Sequence, residues 1–246
     1  MDFATIILAA GKGKRMKSDL PKVLHPINGR PMVYYVIETA RKLGSDKIVL
    51  IIGHKKELVI SETQGLNVEY VVQEEQLGTG HAVLQCAPVF KGYRGNLLVL
   101  SGDVPLLTPH TLQQLIEIQQ RERSLASLLT TEMEDPTGYG RIIRDRKGFV
   151  TMIIEHKDAD EQILKIKEIN VGIYIFESLT LFQTLPQLKN DNNQGEYYLP
   201  DVVKIYVERG EKVAAVLTRN VEETHGINNL EQLKKAEEIL ISRDVT

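Results

Sequence analysis

The feature that most constrains the fold is an apolar run at residues 5–9 that leads directly into a basic loop containing glycine. The loop and its flanks read Leu8-Ala9-Ala10-Gly11-Lys12-Gly13-Lys14-Arg15-Met16, followed by Leu20-Pro21-Lys22-Val23-Leu24. A short apolar run that ends in glycine is typical of a buried parallel strand. Glycines allow backbone N–H groups to approach phosphate oxygens. A run of charges is usually a solvated surface, but its place after a buried strand favours an anion-binding site here.

Two familiar phosphate-binding loops do not fit this segment. A Walker loop requires Gly-Lys-Ser/Thr four residues after its first glycine, and the chain has no such sequence. A dinucleotide fingerprint requires a third glycine where Met16 stands. The loop carries Arg15 and, further along, Lys22, and these cations suit a triphosphate better than a dinucleotide. For Lys12, Lys14 and Lys17 the sequence leaves two interpretations open: contact with phosphate, or simple solvation at the surface.

The rest of the first half alternates between predicted strands and helices. Strands are predicted at residues 47–52, 68–73, 96–101 and 125–131. Helices are predicted to open at Pro31, after the turn at 77–80, and at Thr108-Pro109, where a cap precedes proline. This alternation predicts an α/β fold with a Rossmann-like, mostly parallel sheet flanked by helices. Because ligands bind beyond the carboxyl ends of such strands, the glycine loop, Gln73 and Asp103 are expected to meet there.

The second half has a mixed β character. A hairpin is predicted from strands 141–144 and 149–155, followed by a strand at 169–176 and an exposed loop at 190–196. A helix at 200–208, a strand at 212–217 and an amphipathic helix at 230–241 complete the chain. Without a repeat or a linker, we expect one domain over residues 1–246.

Composition excludes several classes of protein. The chain has 246 residues and a single cysteine, Cys86, so it has no internal disulfide framework and no cysteine-based zinc site. The net charge of −3 gives no indication of nucleic-acid binding. No apolar run reaches the roughly 18 residues of a membrane helix, and the first residues lack the basic leader of a secretion signal. We therefore expect a cytoplasmic protein with no membrane or nucleic-acid partner.

A series of motifs extends beyond the loop and occurs in a fixed order along the chain. The motifs are Gln73 followed by Gln76-Leu77-Gly78-Thr79-Gly80-His81-Ala82, Gly102-Asp103-Val104-Pro105-Leu106, Gly138-Tyr139-Gly140-Arg141-Ile142, Ile154-Glu155-His156-Lys157-Asp158-Ala159, Glu168-Ile169-Asn170, Gln194-Gly195-Glu196-Tyr197-Tyr198 and Gly226-Ile227-Asn228-Asn229. The loop resembles that of the sugar-nucleotide pyrophosphorylases. The full series resembles the uridylyltransferase domain of the bacterial bifunctional N-acetylglucosamine-1-phosphate uridylyltransferase/glucosamine-1-phosphate acetyltransferases, over about residues 4–240.

The resemblance implies a nucleotide-diphospho-sugar transferase fold, with a nucleotide-binding half at about 1–131 and a sugar-binding half at about 132–246. The implied site residues are Arg15 and Lys22 on the phosphates; Leu8, Ala9, Ala10, Gly11, Gln73, Gly78, Thr79 and Gly102 on the nucleotide; Gly140, Glu155 and Asn170 on the sugar; and Asp103 and Asn228 on Mg²⁺. Taken alone, Gln73 would be interpreted as a surface residue, Asp103 as a turn aspartate and Asn228 as a helix cap.

The implied reaction joins UTP to N-acetylglucosamine 1-phosphate with release of pyrophosphate. The same reaction with glucose 1-phosphate or dTTP, and a catalytically silent nucleotide-sugar-binding subunit, are the alternatives. Ser101 departs from the family, in which an aromatic residue often precedes Gly-Asp. The hexapeptide repeats of the acetyltransferase half are missing from this sequence, so only nucleotidyl transfer is carried over. The polar end at Ser242-Arg243-Asp244 favours a standalone enzyme, and the sequence leaves a homo-oligomer open. His25, His54 and His81 show no catalytic pattern.

Overall fold

A nine-stranded sheet forms the centre of the fold in the computed structural model, which describes residues 2–16 and 18–244. The strands are β1 Phe3–Leu8, β2 Pro26–Ile27, β3 Arg30–Pro31, β4 Ile48–Ile52, β5 Glu69–Val72, β6 Asn96–Ser101, β7 Ala126–Glu132, β8 Arg141–Arg144, β9 Val150–Ile154, β10 Glu168–Glu177 and β11 Val213–Thr218. The helices are α1 Met32–Lys42, α2 Lys56–Thr63, α3 Thr79–Leu84, α4 Pro109–Glu122, α5 Ser178–Thr184, α6 Asp201–Glu208 and α7 Leu230–Asp244. The predicted α/β class is confirmed.

The two faces of the sheet carry separate apolar clusters. Side chains alternate along a strand, so Ala4 and Ile6 of β1 join one cluster while Phe3 and Ile7 join the other. Helices α3, α5 and α6 cover the first face, and α1, α2 and α4 cover the second. Because the central strands are buried on both sides, they are almost continuously apolar, as the sequence indicates.

The strand order explains why the site forms where it does. Strands run β11-β7-β10-β6-β1-β4-β5, and β1 lies parallel to both β4 and β6. The chain leaves β1 towards β4 and later returns on the other side as β6, which creates a topological switch point beside β1. Leu8 and Ser101 are paired in register at the ends of β1 and β6. The loops that follow these two strands therefore begin side by side.

Antiparallel pairing in the second half opens the sheet next to β6. Strand β10 runs antiparallel to β6 and β7, and the register with β7 shifts between Asn170 and Tyr174. This bulge interrupts the hydrogen-bond ladder between β10 and β7, and such bulges are common next to functional sites. The predicted hairpin is present as β8 and β9, and β8 pairs with β10 at Ile169. Asn170 is thereby held between the sheet and the hairpin.

Several elements were not predicted from the sequence. Helix α2 buries only Val59 and Thr63, so its sequence carries little helical periodicity, and α5 is a two-turn helix that follows β10 directly. The short pair of β2 and β3 was also missed. Helix α1 begins at Met32, one residue after the predicted start, and Pro31 is its cap. Within residues 2–16 and 18–244, no helix is both long and apolar enough to span a membrane.

Candidate active site

A cavity of about 410 Å³ lies beyond the carboxyl ends of β1 and β6. Its walls come from the glycine loop, the turn before α3, the segment after β6 and the segment before α7. The lining residues are Leu8, Ala9, Ala10, Gly11, Gly13, Arg15, Lys22, Val23, Gln73, Gln76, Gly78, Thr79, Ala82, Ser101, Asp103, Glu196 and Asn228. Most of the residues proposed for the nucleotide, the phosphates and the metal therefore share one cavity.

The glycine loop folds closely over Lys22. Gly13 has a φ of +58°, and a Cβ placed on it would lie 2.7 Å from the Cβ of Lys22, so only glycine fits there. Met16 is buried and donates its backbone N–H to the carbonyl of Gly13 at 2.9 Å, which anchors the loop to the core. Lys12 is exposed. Lys17 and the side chain of Lys14 lie outside the described residues.

Two cations and two oxygen ligands converge at the floor of this cavity. Lys22 Nζ donates to the carboxylate of Asp103 and, at 2.6 Å, to Asn228 Oδ1. Arg15 Nη2 donates to the same oxygen at 2.7 Å. Asn228 Nδ2 donates to the carbonyl of Gly226 at 2.9 Å, so the amide oxygen must face the cations. The sequence separates these side chains by up to 213 positions, and the fold brings them into direct contact.

The oxygens of Asp103 and Asn228 fit a hard cation. Both accept from the same ammonium group, which shows that one positive charge can reach the two oxygens together. Mg²⁺ takes one or two protein oxygen ligands and completes its octahedron with water and phosphate. No group of three or more His, Cys, Asp or Glu side chains suited to a metal occurs in the described part of the chain.

Gln73 and the turn before α3 form the far wall of the cavity. Gln73 is only 3% exposed, so interpreting it as a surface residue, as the isolated sequence suggests, is wrong. Gly78 has a φ of +111°, and a Cβ there would lie 2.6 Å from the carbonyl oxygen of Tyr197. Gly80 N donates to the carbonyl oxygen of Tyr197, and Tyr197 N donates to the carbonyl oxygen of Leu77, both at 2.8 Å. Thr79 Oγ1 accepts from the backbone N–H of residue 199 at 3.0 Å. The turn is thereby fixed against the second half of the chain.

A second cavity, of about 220 Å³, adjoins the first. Leu8, Thr79, Ser101 and Glu196 line both cavities. The remaining lining residues of the smaller cavity are Glu155, Asn170, Gly172, Tyr174, Gln194, Tyr198, Leu199 and Pro200. The end of β9, the bulge of β10 and the loop before α6 thus form one chamber next to the larger cavity.

Acidic side chains give the smaller cavity an unusual electrostatic character. Burial, together with the nearby Asp158, Asp201 and Glu196, raises the pKa of Glu155 to about 7. Burial also raises the pKa of Asp201 to about 6, although Lys204 opposes this shift. Near neutral pH, Glu155 is therefore only partly ionised.

Two of the proposed site residues do not line either cavity. Gly102 is buried, and its N–H donates to the carbonyl of Leu8 at 2.9 Å, so it joins the ends of β1 and β6. Gly140 lies behind the smaller cavity: its carbonyl accepts from Asn170 N at 2.9 Å, and a Cβ on it would lie 3.1 Å from Glu155 Oε1. Glu196 and Tyr174 line the smaller cavity but were not proposed as site residues. Glu196 lies in the motif at 194–198, which was a signal that could have found it, whereas the sequence around Tyr174 is that of a core strand.

Comparison with known protein families agrees with this geometry. The family model described as nucleotidyl transferase matches residues 4–222. The chain belongs to the nucleotidyl transferase family. Among curated members, it is 51% identical over 97% of its length to the bifunctional protein GlmU of Halalkalibacterium halodurans and 50% identical over 94% to that of Bacillus licheniformis. It spans about half of these relatives, covering 52% and 51% of their lengths.

Two solved structures share the fold at low sequence identity. A UDP-glucose pyrophosphorylase complexed with UDP-glucose superposes with a TM-score of 0.76 at 19% identity, over 99% of this chain and 100% of that one. HddC from Yersinia pseudotuberculosis, complexed with GMP-PN, superposes with a TM-score of 0.70 at 22% identity, over 98% of this chain and 100% of that one.

Proposed function

We propose that this chain transfers a uridylyl group from UTP to N-acetylglucosamine 1-phosphate, releasing pyrophosphate. The observation that carries the proposal is the pair of adjoining cavities. One is lined by cations and the glycine loop, and the other by two carboxylates, two side-chain amides and two phenol groups. The two cavities share four lining residues, so a nucleotide in one and a sugar phosphate in the other would have their reacting phosphates at the junction between them. The relatives named as GlmU support the same assignment.

Arg15 and Lys22 can reduce the repulsion between the two phosphorylated substrates. A nucleoside triphosphate and a sugar phosphate together bring about six negative charges, which repel one another as they approach. Arg15 and Lys22 meet at one oxygen of Asn228, so both can neutralise charge on the phosphates and on the departing pyrophosphate. Asp103 and Asn228 would hold Mg²⁺, which when bound neutralises and orients phosphate oxygens.

The displacement requires no protein nucleophile. A phosphate oxygen of the sugar phosphate forms a bond to the α-phosphorus of UTP while the bond from that phosphorus to the oxygen bridging to the β-phosphate breaks. Pyrophosphate departs with the electron pair. The attacking phosphate is already ionised, so no general base is needed, and the chain contributes positioning and charge stabilisation.

The hydrogen bonds of Asn170 support an amino sugar in the smaller cavity. Asn170 Nδ2 donates to Tyr174 Oη at 2.6 Å, and its Oδ1 accepts from Gly172 N at 3.1 Å. One N–H of the amide then remains for a ligand, and it suits the carbonyl oxygen of a 2-acetamido group. Glu155, when ionised, supplies acceptors for sugar hydroxyls. Together the two residues match the donors and acceptors of N-acetylglucosamine.

A substrate panel tests the proposal. Purified protein with Mg²⁺ is given each of UTP, CTP, ATP, GTP and dTTP with N-acetylglucosamine 1-phosphate, glucose 1-phosphate and other sugar phosphates, and pyrophosphate release is measured. The highest kcat/KM is expected for UTP with N-acetylglucosamine 1-phosphate. If no pair of nucleotide and sugar phosphate releases pyrophosphate, the result supports the alternative of a catalytically silent nucleotide-sugar-binding subunit. A higher kcat/KM for another pair would change the assigned substrates.

A further inference from the structure

The orientation of the Gln73 side-chain amide is determined by its partners. Gln73 Nε2 lies 3.0 Å from the carbonyl oxygen of Gly78 and 3.1 Å from His81 Nδ1. A backbone carbonyl can only accept a hydrogen bond, so the atom facing it must be the nitrogen of the amide. Both hydrogens of that nitrogen are then used, one on Gly78 and one on His81. The amide oxygen is the part of this group left for the cavity.

The same contacts determine the state of His81. Because Gln73 donates to Nδ1, that ring nitrogen must be unprotonated, and the proton of the neutral imidazole is on Nε2. The terminal amide nitrogen of Gln85 lies 3.0 Å from Nε2 and 3.3 Å from the carbonyl oxygen of His81. A neutral imidazole accepts at only one ring nitrogen, so one of the two glutamine amides must present its oxygen to the ring. Turning the Gln85 amide gives up the longer carbonyl contact, 3.3 Å against 3.0 Å between Gln73 and Gly78, so we assign the turned amide to Gln85. The Gly78 carbonyl therefore determines the direction of hydrogen bonding through Gln73, His81 and Gln85.

An acceptor at the wall of a nucleotide cavity selects among bases. Gln73 is 3% exposed and lines the larger cavity, and no contact in the described residues engages its Oε1. Uracil, thymine and guanine present a ring N–H that can donate to this oxygen. Cytosine and adenine present a ring nitrogen with a lone pair at the corresponding position, which would be repelled by it.

We propose that His81 is a positioning residue that holds the Gln73 amide with its oxygen towards the nucleotide, and so selects bases that carry a ring N–H. The proposal rests on the proposed function only in placing a nucleotide in the larger cavity. His81 itself does not line that cavity and acts through Gln73. Without the acceptor at Nδ1, one buried N–H of Gln73 loses its partner, and the amide is free to turn.

The test compares UTP and CTP binding by calorimetry in the presence of Mg²⁺, without a sugar phosphate. His81→Leu is expected to lower the ratio of UTP to CTP affinity at least about tenfold, the scale of one lost hydrogen bond. His81→Asn keeps an acceptor near the position of Nδ1 and is expected to retain the ratio. His81→Gln reaches the position of Nε2 instead, and is expected to behave like His81→Leu. Circular dichroism shows whether each variant is folded. If His81→Leu does not fold, the comparison of His81→Asn with His81→Gln alone tests the proposal.

A double-mutant cycle with Gln73→Leu separates positioning from general damage to the fold. If His81 acts through Gln73, adding His81→Leu to Gln73→Leu leaves the affinity ratio unchanged. An unaltered ratio in both His81→Leu and His81→Gln, or an equal loss with and without Gln73, would overturn the proposal. A protein that binds UTP selectively but releases no pyrophosphate would instead contradict the proposed function and leave this inference standing.

Discussion

Replacing Glu155 with glutamine should stabilise the fold in a pH-dependent manner. Burial and the surrounding carboxylates of Asp158, Asp201 and Glu196 raise the pKa of Glu155 from 4.5 to about 7. The folded state therefore binds this proton more tightly than the unfolded chain does. Unfolding releases a proton between about pH 4.5 and pH 7, so the stability contributed by Glu155 falls as the pH rises through that window.

The magnitude follows from the same shift. Between about pH 5 and pH 8, ionisation of Glu155 lowers the free energy of unfolding by about 2 kcal/mol if the whole pKa difference is expressed. Residual contact with solvent reduces this, so we expect the advantage of Glu155→Gln over the wild type to grow by at least about 1 kcal/mol. Glu161→Gln, at an exposed position nearby, should show no such growth.

Urea unfolding at the two pH values measures this difference. The chain has no tryptophan, so far-ultraviolet circular dichroism is the suitable signal. Linear extrapolation gives the free energy of unfolding for the wild type and both variants. If the gain from Glu155→Gln were the same at both pH values, Glu155 would not be a destabilised carboxylate, and the electrostatic description of the smaller cavity would be wrong.

Three further predictions concern the larger cavity. Asp103→Ala should fold normally but lose nearly all turnover, because it would remove one of the two oxygen ligands proposed for Mg²⁺. Retention of more than about a tenth of the wild-type kcat, a loss under about 1.4 kcal/mol, would exclude a role in metal binding. Lys22→Ala should slow pyrophosphate release at least about a hundredfold, or roughly 2.7 kcal/mol, whereas the exposed Lys12→Ala should change it little; equal effects would indicate a diffuse basic patch. Gly78→Ala should weaken UTP binding in calorimetry at least about tenfold, since its Cβ would displace the Tyr197 segment, while Gly210→Ala, with similar positive φ and open space around it, should leave binding unchanged.

The sequence predicted the sheet and the position of the glycine loop because their signals are local. An apolar run that ends in glycine and basic residues indicates both a buried strand and the loop that follows it, and in the structure this loop lines the larger cavity. The alternation of strands and helices implied a mostly parallel sheet, but the strand order that pairs Leu8 with Ser101 is given by the structure alone. Thr108 was similarly recognisable as a cap, and its hydroxyl accepts from Thr111 N.

The parts that could not be predicted depend on contacts between distant segments. Arg15 and Asn228 meet across 213 positions, and only the resemblance to a family joined them beforehand. Gln73 is buried, and its two N–H groups are satisfied by Gly78 and His81, contacts that leave no pattern in the sequence. The bulge that holds Asn170 likewise arises from the pairing of β10 with β7.

Sugar discrimination tests the central claim most directly. The kcat/KM values for N-acetylglucosamine 1-phosphate and glucose 1-phosphate are compared at fixed UTP, for the wild type and Asn170→Ala. A site with a spare amide N–H for the acetamido carbonyl should favour the amino sugar at least about a hundredfold, roughly 2.7 kcal/mol. Asn170→Ala should reduce that ratio while leaving the KM for UTP unchanged. Glucose 1-phosphate as an equal or better substrate of the wild type would contradict the amino-sugar assignment.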